Sequence, residues 1–185
     1  MDAGMRRLYS IKAVLLCVGL IFLATGCDSS NPGNAQNDRH LKEISKPLES
    51  LHGPYRVLKV TDGDTIHVLR DGVDVRVRII GVNTPEVYRG VQCFGPEASE
   101  FAKSEMANTS IYLEYDSTQS QLDKYGRVLA HVWTATKQLY AAEAIRNGFG
   151  FEATYAGIYH HRDLYLANQK VAVQEAVGLW RNCQR

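Results

Sequence analysis

The sequence carries little net charge. Its 185 residues include 21 lysine and arginine residues and 20 aspartate and glutamate residues, which gives a formal net charge of +1 at pH 7. From residue 27 onwards, 18 basic residues stand against 19 acidic ones. A protein that binds nucleic acid through bulk electrostatics alone is usually strongly basic, so the composition argues against that class. Any recognition of phosphate groups must depend on a few locally placed cations.

Long apolar runs are also scarce, and the sequence shows no internal repeat. One run stands out, residues 13–24 (AVLLCVGLIFLA), which follows a basic start and leads into Thr25 and Gly26. The run is too short to span a bilayer comfortably, and the small residues after it suit a signal peptidase. We therefore predict that residues 1–26 are a signal peptide for export. An uncleaved anchor is the alternative.

The small residues lead directly into Cys27 and resemble the lipobox of bacterial lipoproteins. In that motif the cysteine is lipidated and becomes the first mature residue. Leu23 lies one position further from the cysteine than is usual, and Ala24 takes its place. We predict lipidation of Cys27 and anchoring of the chain to a membrane, on its periplasmic or cell-surface side. An ordinary secretory signal is the alternative.

Cysteine is rare, with four residues in the whole chain. Cys17 lies in the predicted signal peptide and Cys27 is the predicted lipidation site, which leaves Cys93 and Cys183. An oxidising compartment and one remaining pair favour a disulfide. Two free thiols are the alternative, because a sequence does not show how closely two Cα atoms approach.

The segment after the signal peptide is polar and has no strong apolar period. Together with Cys27 it is predicted to form a flexible tether, residues 27–53. The remainder, residues 54–185, has the size of one ordinary domain. We expect this domain to be a monomer.

Within the domain, β patterns come first and helical patterns follow. Alternation of apolar and polar residues predicts strands, and Asp71 with Gly72 is a turn signal between two of them. Five strands with a helix before the fourth predict a small Greek-key barrel in a mainly β, α+β protein. Strands are predicted at residues 55–61, 65–70, 73–79, 110–115 and 127–134, and helices at residues 96–108, 139–147 and 162–177.

Residues 60–86 (VTDGDTIHVLRDGVDVRVRIIGVNTPE) carry the clearest chemical signal. Oxygen donors for a hard cation, a guanidinium that binds phosphate and a potential general base fall on two predicted strands and the turn after them. Hydrolysis of a phosphodiester needs this combination of groups. The residues concerned are Asp62, Asp64, Arg78, Asn83, Thr84 and Glu86.

Four separated motifs resemble those of the thermonuclease family, whose type member is staphylococcal nuclease. They are DGDT at 62–65, RIIGVNTPE at 78–86, FGPEAS at 94–99 and DKYGR at 123–127, and they occur in the family's order. The resemblance covers nearly the whole domain. It implies an OB-fold barrel with three helices, and calcium-dependent cleavage of DNA and RNA that leaves 3′-phosphates.

The resemblance also implies a metal site. Asp64 corresponds to a direct calcium ligand, Asn83 to a side-chain ligand and Thr84 to a ligand through its backbone carbonyl, while Asp62 supports the site from its surroundings. Asn83 departs from the family, because the type member has aspartate there. An asparagine oxygen can still ligate calcium, but with one negative charge fewer the cation should bind more weakly, or a different ion is favoured.

The remaining roles implied by the resemblance concern the reaction itself. Glu86 corresponds to the group that activates water, and Arg78 and Arg127 to two arginines that contact phosphate. Lys124 and Tyr125 are candidates for binding nucleotide beside Arg127, with a turn lysine and a packing tyrosine as the alternative reading.

Two other functions are compatible with the sequence. One is a nucleic-acid-binding OB-fold lipoprotein without catalysis, which Asn83 suggests, and the other is a lipoprotein scaffold that recruits a partner. The presence of Arg78, Glu86 and Arg127 together argues against both.

Aromatic and histidine residues late in the chain give weaker signals. Phe149, Phe151 and Tyr155 lie where the type member has two tyrosines that flank a base, but none matches them clearly in register. His160 and His161 suggest zinc, yet adjacent histidines alone do not form the usual closed site. We predict a surface position for them at the start of a helix.

Overall fold

The computed structural model describes residues 51–88 and 90–183. Residues 1–50 lie outside this range, and with them the predictions of a signal peptide, of lipidation at Cys27 and of most of the tether. Within the described residues, no helix is both long enough and apolar enough to cross a membrane. The first strand begins at His52, two residues before the predicted start of the domain.

In the described part of the chain, five strands close into a barrel, and two further strands form a small separate sheet. Strand β3 pairs in parallel with β6, and the other neighbours in the barrel are antiparallel. The predicted fold class, a mainly β OB-fold barrel with helices, is confirmed. The barrel order is β1-β2-β3-β6-β5. The strands are β1 (His52–Val60), β2 (Thr65–Arg70), β3 (Val73–Ile79), β4 (Gly81–Asn83), β5 (Ser110–Glu114), β6 (Val128–Trp133) and β7 (Phe151–Ala153).

The hairpin of β2 and β3 sets the positions of the functional side chains. Its turn residues Asp71 and Gly72 both have positive φ, 53° and 78°, which the right-handed twist of a two-residue hairpin favours. The resulting register places Arg78 directly opposite Thr65. The DGDT and RIIGVNTPE motifs therefore meet at the open end of this hairpin.

Within residues 51–88 and 90–183, four helices accompany the strands, one more than the three expected. They are α1 (Gly95–Met106), α2 (Tyr140–Arg146), α3 (Arg162–Gln174) and α4 (Leu179–Asn182). The additional helix, α4, is a single turn, and a segment this short has too little periodicity to be recognised from the sequence.

The interior of the barrel is apolar. Side chains at alternate positions of each strand point inward and are excluded from solvent, as the period of two in a strand requires. The helices α1 and α2 add Met106, Tyr140 and Ile145 to the same core. Inward-facing strand residues with almost no exposure are Ile66, Val68, Val77, Ile79, Ile111, Leu113, Ala130 and Val132.

A disulfide joins Cys93 to Cys183, with a Cα separation of 5.8 Å. Cys93 lies just before α1 and Cys183 just after α4. The bridge thus attaches the segment that follows Glu86 to the end of the described chain.

Candidate active site

A cleft of about 680 Å³ lies on the outer face of β2, β3 and β6. It brings together nearly all residues that the sequence singled out as functional. Its lining includes Asp62, Asp64, Arg78, Asn83, Glu86, Lys124, Tyr125 and Arg127. Thr84 is not part of the lining, but it contacts Asp64 beneath it.

Asp64 lies at the floor of this cleft and is buried. Its backbone carbonyl accepts a hydrogen bond from Ile79 N at 2.9 Å, which fixes the residue against β3. Its carboxylate accepts bonds from Thr65 Oγ1 at 3.0 Å and Thr84 N at 3.1 Å. Arg78 Nη2 lies 3.2 Å from the same carboxylate. These contacts hold a charged oxygen donor in one orientation.

Asp62 lies beside Asp64 and accepts a hydrogen bond from Asp64 N at 3.1 Å. Burial and, to a lesser extent, the negative charge of Asp64 together raise the pKa of Asp62 to about 6. A bound cation would offset both effects, since it favours the ionised carboxylate. Gly63 is required between them, because a Cβ there would lie 2.6 Å from the Thr84 side chain.

Arg78 carries its guanidinium into the floor of the cleft and is buried. Its Nη1 donates to the carbonyls of Ile79 at 2.7 Å and Val82 at 2.8 Å. Its Nη2 donates to Asn83 Oδ1 at 3.2 Å. A buried guanidinium with carbonyl, amide and carboxylate partners cannot swing away, so its positive charge stays at the point where an anion would enter.

Asn83 ends β4, where it pairs with Phe151 of β7. Its side-chain oxygen accepts hydrogen bonds from Arg78 and from Tyr155 OH, the latter at 2.8 Å. The Tyr155 ring also lies against Arg78, with 5.7 Å between the guanidinium carbon and the ring centroid. Tyr155 is therefore a site residue, although its register in the sequence gave no clear match.

Glu86 lines the cleft and is exposed to solvent. Its backbone is held on both sides by Gln92, which accepts from Glu86 N at 3.0 Å and donates through its own N to Glu86 O at 2.9 Å. The main chain is therefore fixed, while the side chain lies at the solvent-exposed wall of the cleft.

Arg127 is positioned by a tight turn that Asp123 organises. The Asp123 carboxylate accepts from Tyr125 N and Arg127 N, both at 2.9 Å, and from Arg127 Nε at 2.7 Å. Burial alone would raise the pKa of Asp123, but these hydrogen bonds outweigh it and lower the pKa. Arg127 Nη1 reaches Thr65 Oγ1 at 3.4 Å, and Thr65 in turn contacts Asp64. The second guanidinium is thus linked to the carboxylate at the floor.

Tyr125 lies between two cations on the rim of the cleft. Arg127 and Lys124 lie over its ring at 5.4 and 5.0 Å from the centroid, distances typical of cation–π contacts. The ring is 62% exposed. The structure therefore places Lys124 and Tyr125 beside Arg127 at a surface that a nucleotide could contact.

Comparison with known proteins agrees with this geometry. The family model described as "Staphylococcal nuclease homologue" matches residues 76–182. The chain is 37% identical to the thermonuclease of Staphylococcus hyicus over 131 residues, which cover 69% of this chain and 76% of that protein.

The chain belongs to the staphylococcal nuclease family.

Other relatives support the same assignment. The thermonuclease of Staphylococcus intermedius is 38% identical over 129 residues, 68% of this chain and 75% of that protein. Endonuclease YncB of Bacillus subtilis is 28% identical over 162 residues, 80% of this chain and 74% of that protein.

The donor set predicted for this staphylococcal nuclease homologue consists of oxygen atoms. Among residues 51–88 and 90–183, no group of three or more His, Cys, Asp or Glu side chains is arranged to hold a metal ion. The predicted site has two carboxylates, and an amide oxygen and a backbone carbonyl supply the rest. Oxygen donors without sulfur or imidazole fit a hard cation such as calcium.

His160 and His161 lie at the start of α3, as predicted, but the predicted surface position is wrong for His161. Its side chain is only 10% exposed and its Nε2 lies 3.0 Å from Glu114 Oε2. The His160 backbone N donates to Asp116 Oδ2 at 2.6 Å, and Asp116 also contacts His131 in the interior. Sequence reasoning missed this buried network because its members are far apart in the chain.

Proposed function

We propose that this chain is a calcium-dependent nuclease that hydrolyses DNA and RNA at the P–O5′ bond and leaves 3′-phosphates. The observation that carries the proposal is the cleft itself. It joins the neighbouring carboxylates of Asp62 and Asp64, the exposed carboxylate of Glu86 and the guanidiniums of Arg78 and Arg127 on one face of the barrel.

Asp64, Asn83 and the Thr84 carbonyl would hold the calcium ion, with Asp62 as an additional negative charge beside them. When bound, calcium polarises a phosphate oxygen and offsets its negative charge. Contacts with Thr65, Thr84 and Arg78 hold the Asp64 carboxylate in position before a cation binds. Because Asn83 is uncharged, the site should bind the cation more weakly than one with aspartate at this position.

Glu86 takes a proton from the attacking water. Its exposure on the wall of the cleft keeps it in contact with solvent, and a general base must lie within hydrogen-bond reach of the water that it activates. Its main chain is fixed by Gln92, which limits the positions that the carboxylate can adopt.

Arg78 and Arg127 stabilise the negative charge that builds up as phosphorus becomes five-coordinate. A guanidinium stays charged and presents a planar fork to phosphate oxygens. Both guanidiniums are held before substrate arrives, Arg78 by backbone carbonyls and Arg127 by Asp123. Such preorganisation is the main source of electrostatic stabilisation in a transition state.

Two further parts of the proposal rest on the sequence. We propose that the chain is exported and anchored through Cys27 on the periplasmic or cell-surface side of a membrane. The motif in residues 13–27 supports this, and so does the Cys93–Cys183 disulfide, since such bonds persist in oxidising compartments.

The test is calcium-dependent hydrolysis of a fluorescent single-stranded DNA by the purified chain. Glu86→Gln and Arg127→Ala should each lower kcat at least about 100-fold, because they remove groups used mainly in the transition state. Circular dichroism checks that both variants fold.

Glu100→Gln and Arg146→Ala are matched controls, because both residues lie in exposed ion pairs on helices and should retain wild-type rates. Wild-type rates in folded Glu86→Gln and Arg127→Ala would contradict the catalytic assignment. Binding of DNA without hydrolysis by the wild-type chain would favour a nucleic-acid-binding OB-fold lipoprotein instead.

A further inference from the structure

We propose that a strip of three side chains outside the cleft, Lys59, His67 and Arg76, binds the part of a single-stranded polynucleotide that extends beyond the cleaved phosphate. This inference rests on the proposed function, since it concerns how the same substrate continues past the site. None of the three residues lines the cleft, and none belongs to the motifs that identified it.

The pleat of the strands places this strip on the same face as the cleft. In β3, Val77 is fully buried inside the barrel, so Arg76 and Arg78 on either side of it point to the outer face. In β2, Ile66 is buried in the same way, and Thr65 and His67 point outward. The strip therefore begins two residues from the floor of the cleft, a distance of about 7 Å along each strand.

The register of the sheet aligns the three residues in one row. Lys59 of β1 is paired with His67 of β2, and His67 is paired with Arg76 of β3. With neighbouring strands about 4.8 Å apart, the row is about 10 Å long at the level of the Cα atoms. Arg76 Nη2 donates to Tyr125 O at 3.2 Å, so the row reaches the turn that carries Lys124, Tyr125 and Arg127.

The chemistry of the row suits a single strand of nucleic acid. Lys59 and Arg76 are exposed cations that can contact phosphates, and the His67 ring is partly exposed between them. Tyr125 at the end of the row offers an exposed aromatic face on which a base can stack. Grooves of OB-folds that bind single strands combine these two features, a basic track and an aromatic platform.

Because the chain has almost no net charge, binding of a polyanion depends on local cations such as those of the strip. From residue 27 onwards the chain has more acidic than basic residues, so long-range attraction to a polyanion is weak. His67 is already paired with Asp74, at 2.8 Å, which marks the far border of the strip. A polynucleotide that follows the row from Arg76 on β3 to Lys59 on β1 therefore meets two cations, and Asp74 borders the row on the side away from the cleft.

Substrates of two lengths distinguish the contribution of the strip from that of the cleft. A dinucleotide has a single phosphodiester and can occupy the cleft alone, whereas a 20-nucleotide strand can cover both. Lys59→Gln combined with Arg76→Gln removes both charges, and the glutamine at position 76 keeps a donor for Tyr125 O. Arg146→Gln with Lys170→Gln is the matched control, because it removes the same two charges from α2 and α3.

Binding of a labelled single-stranded 20-mer is measured by fluorescence anisotropy at low salt in EDTA, where no cleavage occurs. The strip variant should bind about tenfold more weakly, and the slope of log K against log salt should decrease by about 1.4 for two lost contacts to a single strand. Its kcat/KM on the dinucleotide in calcium should equal that of the wild type. The control variant should match the wild type in both assays.

Two results would contradict the proposal that the strip binds polynucleotide. One is equal 20-mer binding by the strip variant and the control variant. The other is a loss of dinucleotide hydrolysis as large as the loss of 20-mer binding, because that would place the effect in the cleft. If the wild-type chain hydrolyses neither substrate, the proposed function fails, while the anisotropy comparison still decides whether the strip binds polynucleotide.

Discussion

Opening of the Cys93–Cys183 disulfide should cost the domain a large part of its stability. The bridge closes a loop with a sequence separation of 90, which contains the barrel strands β5 and β6, the short strand β7 and the four helices of the described residues. Cys93 is exposed, so its conversion to a thiol or to serine removes little packing. The main effect should therefore fall on the unfolded chain, which gains freedom when the loop opens.

The size of the effect follows from the length of that loop. In the chain-entropy model, a separation of 90 corresponds to about 15 cal/mol/K, or about 4.6 kcal/mol at 25 °C. A domain of about 130 residues unfolds with an entropy of about 270 cal/mol/K near its melting temperature. The ratio of the free energy to this entropy gives a decrease in Tm of about 17 °C.

Thermal melting followed by circular dichroism measures this shift, with and without reductant. Cys93→Ser/Cys183→Ser is the matched control: it should melt near the reduced wild type, and reductant should not change its Tm. A decrease smaller than about 3 °C, equivalent to less than about 1 kcal/mol, would refute the reasoning. So would a reductant effect of similar size on the control.

Four further outcomes test the site and the anchor. Asn83→Asp should tighten calcium binding in a calorimetric titration, since it adds an anionic oxygen; unchanged or weaker binding would argue that Asn83 is not a ligand. Tyr155→Phe keeps the ring but removes the hydrogen bond to Asn83 Oδ1, and calcium should bind up to about fivefold more tightly, the equivalent of about 1 kcal/mol for one hydrogen bond. Because the pKa of Asp62 is raised to about 6, its ionisation opposes folding as the pH rises from 4 through 6. Without calcium, Asp62→Asn should therefore be more stable than the wild type at pH 7, and a difference that persists below pH 4 would contradict this cause. Cys27→Ser should abolish incorporation of radiolabelled palmitate and membrane fractionation, and a wild-type chain that takes up no label would remove the lipoprotein proposal.

The parts of the fold that could be predicted from the sequence are those with a local signal. The hairpin of β2 and β3 has alternating apolar residues on both sides of a turn, Asp71 and Gly72, that suits it. The cleft could be predicted as well, because its main residues lie at the end of this hairpin or in one further motif. The register of the hairpin brings residues such as Asp64 and Arg78 into contact.

The parts that could not be predicted depend on contacts between distant, short segments. Strands β4 and β7 have three residues each, too few to show any alternation. Tyr155 reaches Asn83 because these strands pair, and the two residues are 72 positions apart. Alignment of the sequence with the family motifs alone therefore could not show that Tyr155 lies beside Asn83.

The position of Tyr155 also depends on buried polar groups that none of the motifs contains. The segment after β7 is held at its far end by Asp116, which accepts from His160 N, and by Glu114, which contacts His161. Burial alone would raise the pKa of Asp116, but hydrogen bonds from His131, Thr118 and His160 lower it well below its usual value, so the carboxylate stays charged and keeps its donors. Between β7 at one end and these carboxylates at the other, Tyr155, Ala156 and Tyr159 line the cleft. We therefore expect Glu114 and Asp116, at and just after the end of β5, to support the contact between Tyr155 and the proposed metal ligand Asn83.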